Sequence, residues 1–260
     1  MIEYINLSSV PIFMLILMRM TAFFATVPLF SYRAVPNTFK IGLIFFLSLI
    51  TYFVIDTSSF VLGTDFIVLL LKEIIVGLLL GLIAYIVVSA IQIAGGFIDF
   101  QMGFAIANVI DPQTGAQSPL TGQYFYIISL LFLLSVNGHH LLIDGLFYSY
   151  ELIELDAFIP LWGDGHIAEF VITTFNSMFI LAFQMAIPIV GSLFLVDVAL
   201  GIIARTVPQL NVFVVGLPLK ITVSFIVILF FLSLYMTLAR QLFEHMFVTL
   251  RTLMQLFGGA

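Results

Sequence analysis

The sequence contains no cysteine and very few charged residues. Among its 260 residues, charged side chains make up 8%, with 8 Lys plus Arg and 14 Asp plus Glu, whereas globular proteins carry about 25%. Without cysteine the chain has neither a disulfide framework nor a thiolate metal site. So few charges cannot cover a water-soluble globule or form the basic face that binds nucleic acid. The composition therefore excludes a cytosolic enzyme, a disordered tail and a nucleic-acid binder.

Apolar side chains dominate what is present. Hydrophobic residues make up 62% of the chain, against about 45–50% in ordinary domains. They form long apolar runs at 10–30, 40–55, 68–94, 124–136, 167–200 and 221–238. A helix crosses the bilayer core with about 20 apolar residues, and the runs lack the alternation of a membrane barrel. The sequence predicts an all-α, polytopic membrane protein.

Several runs are irregular, which predicts short and kinked helices. Two runs are shorter than a span, and the run 167–200 contains Pro188, which removes a backbone donor. Between two runs lies a polar, glycine-rich stretch, 95–122. We expect an amphipathic helix over 95–110, a break at Asp111 and Pro112, and then an uncharged loop. That loop either lines or plugs a cavity or is an ordinary aqueous connection.

Basic residues are unevenly distributed along the chain. The 132 residues between Lys72 and Arg205 contain no Lys or Arg, but they contain ten acids. The positive-inside rule puts the loops at Arg33/Lys40 and Arg205/Lys220 on the cytoplasmic side. Lys220 and Arg240 flank one apolar run and cannot both be inside if that run spans, so the topology of the C-terminus stays open.

Arg19 interrupts the first apolar run. A charge at the centre of a membrane helix costs about 2.5–3.5 kcal/mol on insertion scales. One interpretation is that Arg19 snorkels to the interface or ends a shorter helix. The other is that Arg19 forms a buried pair with an acid from another helix.

Glu73, Gly77 and Gly81 recur every four residues and share one helix stripe. Small residues at this spacing let a partner helix approach closely. The neighbouring Lys72 points about 100° away around the helix. We expect Glu73 to make a helix contact, and a proton relay is the alternative.

Asp197, Gly201 and Arg205 repeat this spacing. An acid two turns before an arginine is too far for a direct bond, so we expect each to meet a different partner. Together with the polar residues of the stretch 95–110, the predicted helix-contact set is Arg19, Glu73, Gly77, Gly81, Asp99, Gln101, Asp197, Gly201 and Arg205.

His139, His140 and Asp144 are residue types that can bind a metal ion, and they lie close together in the sequence. Adjacent histidines point to different sides of a helix, so metal binding is disfavoured. The sequence shows no nucleophile–histidine–acid set and no glycine-rich nucleotide loop. An intramembrane enzyme therefore has little support, and we expect no catalysis, metal or cofactor.

Several ordered motifs resemble one known family. They are P-L-F-S-Y-R-A-V-P at 28–36, K-E-I-I-V-G-L-L-L-G at 72–81, the segment 95–120, N-G-H-H at 137–140, and V-D-V-A-L-G-I-I-A-R-T-V-P-Q-L-N-V-F-V-V-G-L-P-L-K at 196–220. Together they resemble the FliR family, the R subunits of the flagellar type III secretion export gate. The resemblance covers nearly the whole chain, and the family is related to the T subunits of virulence systems.

The resemblance implies a subunit in a helical hetero-oligomer with P and Q subunits (FliP and FliQ). A P-like part, 1–180, is followed by a Q-like helical hairpin, 181–260. The resemblance assigns a pore plug to the loop 111–122, with Asp111, Pro112, Gln113, Thr114, Gly115, Gln117 and Pro119. It assigns a cytoplasmic bend to 205–220, with Pro208, Gln209, Asn211, Gly216, Pro218 and Lys220.

The implied function is a structural and gating subunit of the flagellar export channel, needed for flagellar assembly. Implied partners are also the B subunit (FlhB) wrapping the bend, the A subunit (FlhA), membrane lipid and unfolded substrates in transit. The implied location is the bacterial inner membrane, in the flagellar basal body, with much of the complex on the periplasmic side. The alternatives are a virulence export-gate subunit and a small-solute or ion transporter. The second would need related halves, and we see no repeat of 1–130 in 131–260.

Overall fold

The computed structural model describes residues 10–32, 35–55, 65–104, 119–156, 166–209 and 211–258. In these ranges the chain forms seven helices and no strand. Their bounds are α1 Val10–Thr26, α2 Asn37–Val54, α3 Phe66–Met102, α4 Leu120–Ser135, α5 Gly138–Leu152, α6 His166–Thr206 and α7 Val212–Gly258. The all-α prediction is confirmed, and it follows from an apolar setting in which a helix satisfies its own backbone groups.

Four helices are long and apolar enough to cross a membrane, namely α2, α3, α6 and α7. The number rises to five if the bent pair α4 and α5 counts as one span. The pair is interrupted at Asn137, whose backbone is left-handed with φ of 57°. The helix α1, with 17 residues, is shorter. The polytopic prediction, with short helices among long ones, is confirmed.

The chain divides into two compact units. The first comprises Met1–Val87, Asn137–Thr174 and His245–Ala260, and the second comprises Val88–Val136 and Phe175–Glu244. The long helices α3, α6 and α7 each contribute residues to both units. The boundary expected near residue 180 falls inside α6. Because that boundary rests on resemblance to sibling subunits, it stays a prediction.

In the first unit, α1 and α3 pack with their backbones in close contact. A Cβ atom on Gly77 would meet the carbonyl oxygen of Arg19 and, at 2.9 Å, the Cβ of Ala22. A Cβ atom on Gly81 would meet the side chain of Thr26 and lie 2.9 Å from the carbonyl oxygen of Phe23. The glycine stripe of α3 is therefore the surface on which α1 lies, as close glycine-mediated helix contacts require.

The second unit is built around contacts of α4 with α3 and α7. A Cβ atom on Gly95 of α3 would collide with the backbone of Gly122 in α4. On α7, the Tyr235 ring stacks on Phe125 with 4.2 Å between ring centroids, and its hydroxyl lies 3.1 Å from the hydroxyl of Ser129. The helix α4 thus makes a close backbone contact with α3 at two glycines and an aromatic contact with α7.

The segment expected to form a separate amphipathic helix over 95–110 is organised differently. Residues 95–102 continue α3, because Gly95 packs on α4 and does not break the helix. The helix ends at Met102, where Gly103 takes a positive φ of 91° and the amides of Gly103 and Phe104 both bond the Asp99 carbonyl oxygen. A left-handed glycine is a common helix terminator. Residues 105–110 lie outside the described residues.

The bend expected over 205–220 is shorter than predicted. The helix α6 continues to Thr206, and α7 starts at Val212. Gly216, Pro218 and Lys220 therefore lie in α7 and not in the turn. An apolar segment gains more from satisfying its backbone as a helix than it loses at one proline, and Gly216 packs against the side chain of Leu200.

The Gly77 contact yields a direct prediction. Replacing Gly77 by Leu should lower the free energy of unfolding by more than about 3 kcal/mol, the upper range for overpacking, because the obstructing atom belongs to the backbone. The matched control is Gly42→Leu on α2, where a Cβ meets no atom within 4 Å. Denaturant titration of both variants in detergent checks this, and equal losses would contradict the close contact.

Candidate functional site

Three charged side chains meet in the interior of the first unit. The Arg19 guanidinium of α1 donates twice to Glu73 of α3, from Nε to Oε2 at 2.5 Å and from Nη2 to Oε1 at 2.9 Å. The Nζ of Lys72 lies 2.9 Å from Oε1 of Glu73. Arg19 and Glu73 are fully buried, and Lys72 is 4% exposed. A bidentate, charge-assisted pair is among the strongest polar contacts available. We call these three residues the charge cluster.

The charge cluster also holds the C-terminal end of α5. Arg19 donates from Nη1 to the Ser149 carbonyl oxygen at 2.9 Å and from Nη2 to that of Ile153 at 3.0 Å. Lys72 donates from Nζ to the carbonyl oxygens of Glu154 and Leu155 at 2.7 and 2.9 Å. Helix C-termini carry carbonyls without intrahelical partners and favour cations. The cluster therefore binds three segments of the chain at one point.

Tyr150 completes the surroundings of Arg19. The guanidinium carbon lies 4.1 Å from the centre of the Tyr150 ring, and the Tyr150 hydroxyl donates to the Ile16 carbonyl oxygen at 3.1 Å. A guanidinium over an aromatic face is attracted by the ring electrons. Each of the three guanidinium nitrogens of Arg19 thus has an acceptor, and the group also contacts an aromatic ring.

The arrangement around Glu73 favours a structural role. Both of its carboxylate oxygens are occupied by cationic donors, Arg19 and Lys72. A proton relay needs a carboxylate that is open to water or to a second acid. Removing one member of a buried ion pair strands the other at a cost of about 3–5 kcal/mol. The geometry therefore suits a fixed structural anchor.

The charge cluster decides between the two interpretations of Arg19. Arg19 forms a buried pair with an acid from another helix, as the second interpretation predicts. It neither snorkels to the interface nor ends its helix. Lys72 leaves the helix about 100° around from Glu73, and its Nζ nevertheless lies 2.9 Å from Oε1 of Glu73, a contact that the sequence analysis did not predict. The backbone acceptors at the end of α5 were missed, since a carbonyl group leaves no signal in a sequence.

A second polar group lies in the second unit and links α6 to α7 and α3. The Nζ of Lys220 lies 2.8 Å from Oδ1 and 2.9 Å from Oδ2 of Asp197. The Nε2 of Gln101 donates to Oδ2 of Asp197 at 2.8 Å. The ion pair joins α6 to α7, and with Gln101 the group brings three predicted residues together.

Gly201 and Arg205 do not join that group. A Cβ atom on Gly201 would meet nothing within 4 Å, and Arg205 is exposed near the end of α6. The stripe of Asp197, Gly201 and Arg205 therefore makes no close helix contact at Gly201 within the described chain. The predicted helix contact at Gly201 stays a prediction.

Asp99 anchors the start of α4. Its carboxylate accepts the backbone amide of Thr121, with distances of 3.3 and 3.2 Å from Oδ1 and Oδ2. The helix has Pro119 at its N-cap and no side-chain cap of its own. A carboxylate near a helix N-terminus satisfies an unpaired donor and complements the helix dipole. Asp99, buried in α3, replaces the missing local cap.

The remaining predicted residues belong to the loop and the turn. Asp111, Pro112, Gln113, Thr114, Gly115 and Gln117 lie outside the described residues. Pro208 and Gln209 lie in the turn after α6 and are exposed, and Asn211 precedes α7. The His139 and His140 rings lie 4.1 Å apart. In the described part of the chain no group of three or more His, Cys, Asp or Glu could hold a metal ion.

Comparison with known proteins identifies the family to which the chain belongs. Residues 10–246 match the model of "Bacterial export proteins, family 1". The "Flagellar biosynthetic protein FliR" of Bacillus subtilis is 56% identical over 249 residues, which covers 95% of this chain and 96% of that protein. The protein of the same name from Escherichia coli is 28% identical over 233 residues, covering 89% of this chain and 88% of that one.

A relative from a virulence system is also similar. The "Yop proteins translocation protein T" of Yersinia pestis is 29% identical over 213 residues, or 81% of each chain. The family model covers the charge cluster, the glycine stripe and the Asp197–Lys220 pair. The extent of these matches shows that the chain belongs to the FliR family of bacterial export proteins.

Proposed function

We propose that this chain is a structural and gating subunit of the core export channel of flagellar type III protein secretion, needed for flagellar assembly. The observation that carries the proposal is the similarity to the flagellar Bacillus subtilis protein across 95% of this chain and 96% of that one. The sequence identity to the flagellar protein of Bacillus subtilis is 56%, and that to the virulence protein of Yersinia pestis is 29%. This difference favours a flagellar role over a virulence role.

The distribution of apolar surface supports a place inside a membrane assembly. Phe53 on α2, and Leu229 and Phe230 on α7, expose 76%, 72% and 84% of their surface. Large exposed apolar faces mark contact with lipid or with other subunits. We assign these faces to membrane lipid and to the P and Q subunits (FliP and FliQ) of the gate. The chain is thereby a component of the inner membrane.

The hairpin of α6 and α7 supports the proposed Q-like part, 181–260, after a P-like part, 1–180. Its turn is exposed at Pro208 and Gln209, and the Asp197–Lys220 pair joins its arms. Exposed backbone flanked by basic residues offers donors to a partner protein. We propose that the B subunit (FlhB) contacts this turn on the cytoplasmic side, and that the A subunit (FlhA) joins the same apparatus in the basal body.

The loop 111–122 is the proposed plug of the closed channel. Phe104, the last described residue before this loop, follows the end of α3. The last three residues of the predicted loop, 120–122, belong to α4, where Asp99 holds Thr121. Fixed ends suit a loop that must seal a pore without leaving its place. On this proposal unfolded substrates pass the loop, and much of the assembled complex lies on the periplasmic side.

The proposed role is not enzymatic. The buried charged side chains Arg19, Glu73, Asp99 and Lys72 all contact other segments of the chain. A catalytic group must face a substrate. These residues serve the packing of the subunit, and the energy for export comes from another component.

Complementation tests the flagellar function. In Bacillus subtilis lacking its own FliR, this chain should restore motility and secretion of filament protein, because the two proteins align over nearly their whole length. The chain carrying Gly77→Leu serves as the matched negative control. The proposal fails if the wild-type chain reaches the membrane in normal amount and secretion remains absent.

Shortening the loop tests the plug separately. Deleting Gln113–Gln117 should leave recovery of the complex largely intact and make the closed gate leaky to small solutes, since the segment from Pro112 to Gly122 carries no charge and is rich in turn residues. Solute leakage across membranes containing the full gate is the measurement. A complex that assembles and stays tight would remove the plug assignment.

A further inference from the structure

An open groove lies in the first unit between α5 and the C-terminal part of α7. Its volume is about 660 Å³, which is within the range of roughly 300–1,000 Å³ that small-ligand sites occupy. The walls are largely apolar and include Leu141 and Phe147 from α5 and Phe247 and Met254 from α7. An apolar occupant that covers such walls gains free energy by removing them from water.

Three charged side chains line the same groove. Asp144 and Glu151 come from α5, and Arg251 comes from α7. The two acids are seven residues apart, or about two helix turns and 10.5 Å along the axis, so they lie on one side of α5. Across the described residues, none of the three takes part in an ion pair or a side-chain hydrogen bond, whereas the exposed Arg240 pairs with Glu244 at 3.0 Å.

The surroundings of the groove indicate the depth of lipid headgroups. Tyr148, which lines it, is partly exposed, and tyrosine is enriched at membrane–water interfaces. Leu141 and Val248, next to the charged residues, are 51% and 64% exposed. Charges of both signs beside exposed apolar surface match a boundary between headgroups and acyl chains.

We propose that this groove binds a zwitterionic phospholipid, with an ammonium and a phosphate in one headgroup, as in phosphatidylethanolamine. Arg251 binds the phosphate, Asp144 and Glu151 bind the ammonium, and the apolar walls hold an acyl chain. Guanidinium and carboxylate groups make charge-assisted hydrogen bonds to these partners. This site is additional to the export function and depends only on the placement of the chain in a membrane.

Charge complementarity selects this occupant over others. An anionic headgroup such as phosphatidylglycerol matches Arg251 but brings negative charge to Asp144 and Glu151. A basic peptide matches the acids but places a cation beside Arg251. A headgroup without charge, as in diacylglycerol, offers a partner to none of the three side chains. Only an occupant with both signs satisfies both walls.

Lipid retention tests the proposal on the full chain, purified in the complex with which it is co-expressed. After exchange from mixed phosphatidylethanolamine and phosphatidylglycerol vesicles into detergent, native mass spectrometry counts the retained lipids. We expect preferential retention of phosphatidylethanolamine. Arg251→Gln, and Asp144→Asn combined with Glu151→Gln, should each lower it at least about fivefold, as loss of a charged hydrogen bond implies.

Two further variants make the test independent of folding defects. Leu141→Trp fills the groove from an exposed position and should lower retention without any change in charge. Arg240→Gln, on the same helix as Arg251 but paired outside the groove, should retain the lipid like the wild type. Equal retention of the two lipids, retention unaffected by all the groove variants, or cross-linking of the groove to another protein would overturn the proposal.

Discussion

The packing of the first unit depends on the pairing of Arg19 with Glu73. Two ions buried in an apolar interior cost several kcal/mol each unless they are paired and fully hydrogen-bonded. Here the pair is bidentate, Lys72 adds a second cation, and carbonyl groups at the end of α5 accept the remaining donors. The requirement for a partner thus fixes α1 and α3 against each other and holds the end of α5 on both.

The glycine stripe and the charge cluster are two parts of one contact. Gly77 lies against the carbonyl oxygen of Arg19 itself, one helix turn beyond Glu73. A side chain at Gly77 would separate the backbones and move the guanidinium away from its carboxylate. In the second unit the same chemistry recurs where Asp99 caps α4 and Asp197 pairs with Lys220. Inside each unit these polar groups add to an apolar core, and large apolar side chains are also exposed, as expected for a subunit of a membrane assembly.

Periodicity alone could predict the all-α fold, the helix stripe of Glu73, Gly77 and Gly81, and the alternative of a buried partner for Arg19. It could not predict the carbonyl acceptors at the end of α5, because backbone groups are the same in every sequence. The end of α3 at Met102 and the short turn before Val212 were also missed. Glycine and proline usually favour a break in a helix. Here Gly95 and Gly216 lie inside helices and pack against neighbouring residues.

A double-mutant cycle on Arg19 and Glu73 tests the central claim most directly. Free energies of unfolding of the detergent-solubilised chain would be measured for Arg19→Met, Glu73→Gln and the combination. We predict a loss of about 3–5 kcal/mol for each single variant, and a double variant that loses far less than their sum. The exposed pair Arg240 and Glu244 is the matched control, with an expected coupling of about 0.2–0.5 kcal/mol. Strictly additive losses at Arg19 and Glu73 would contradict the account.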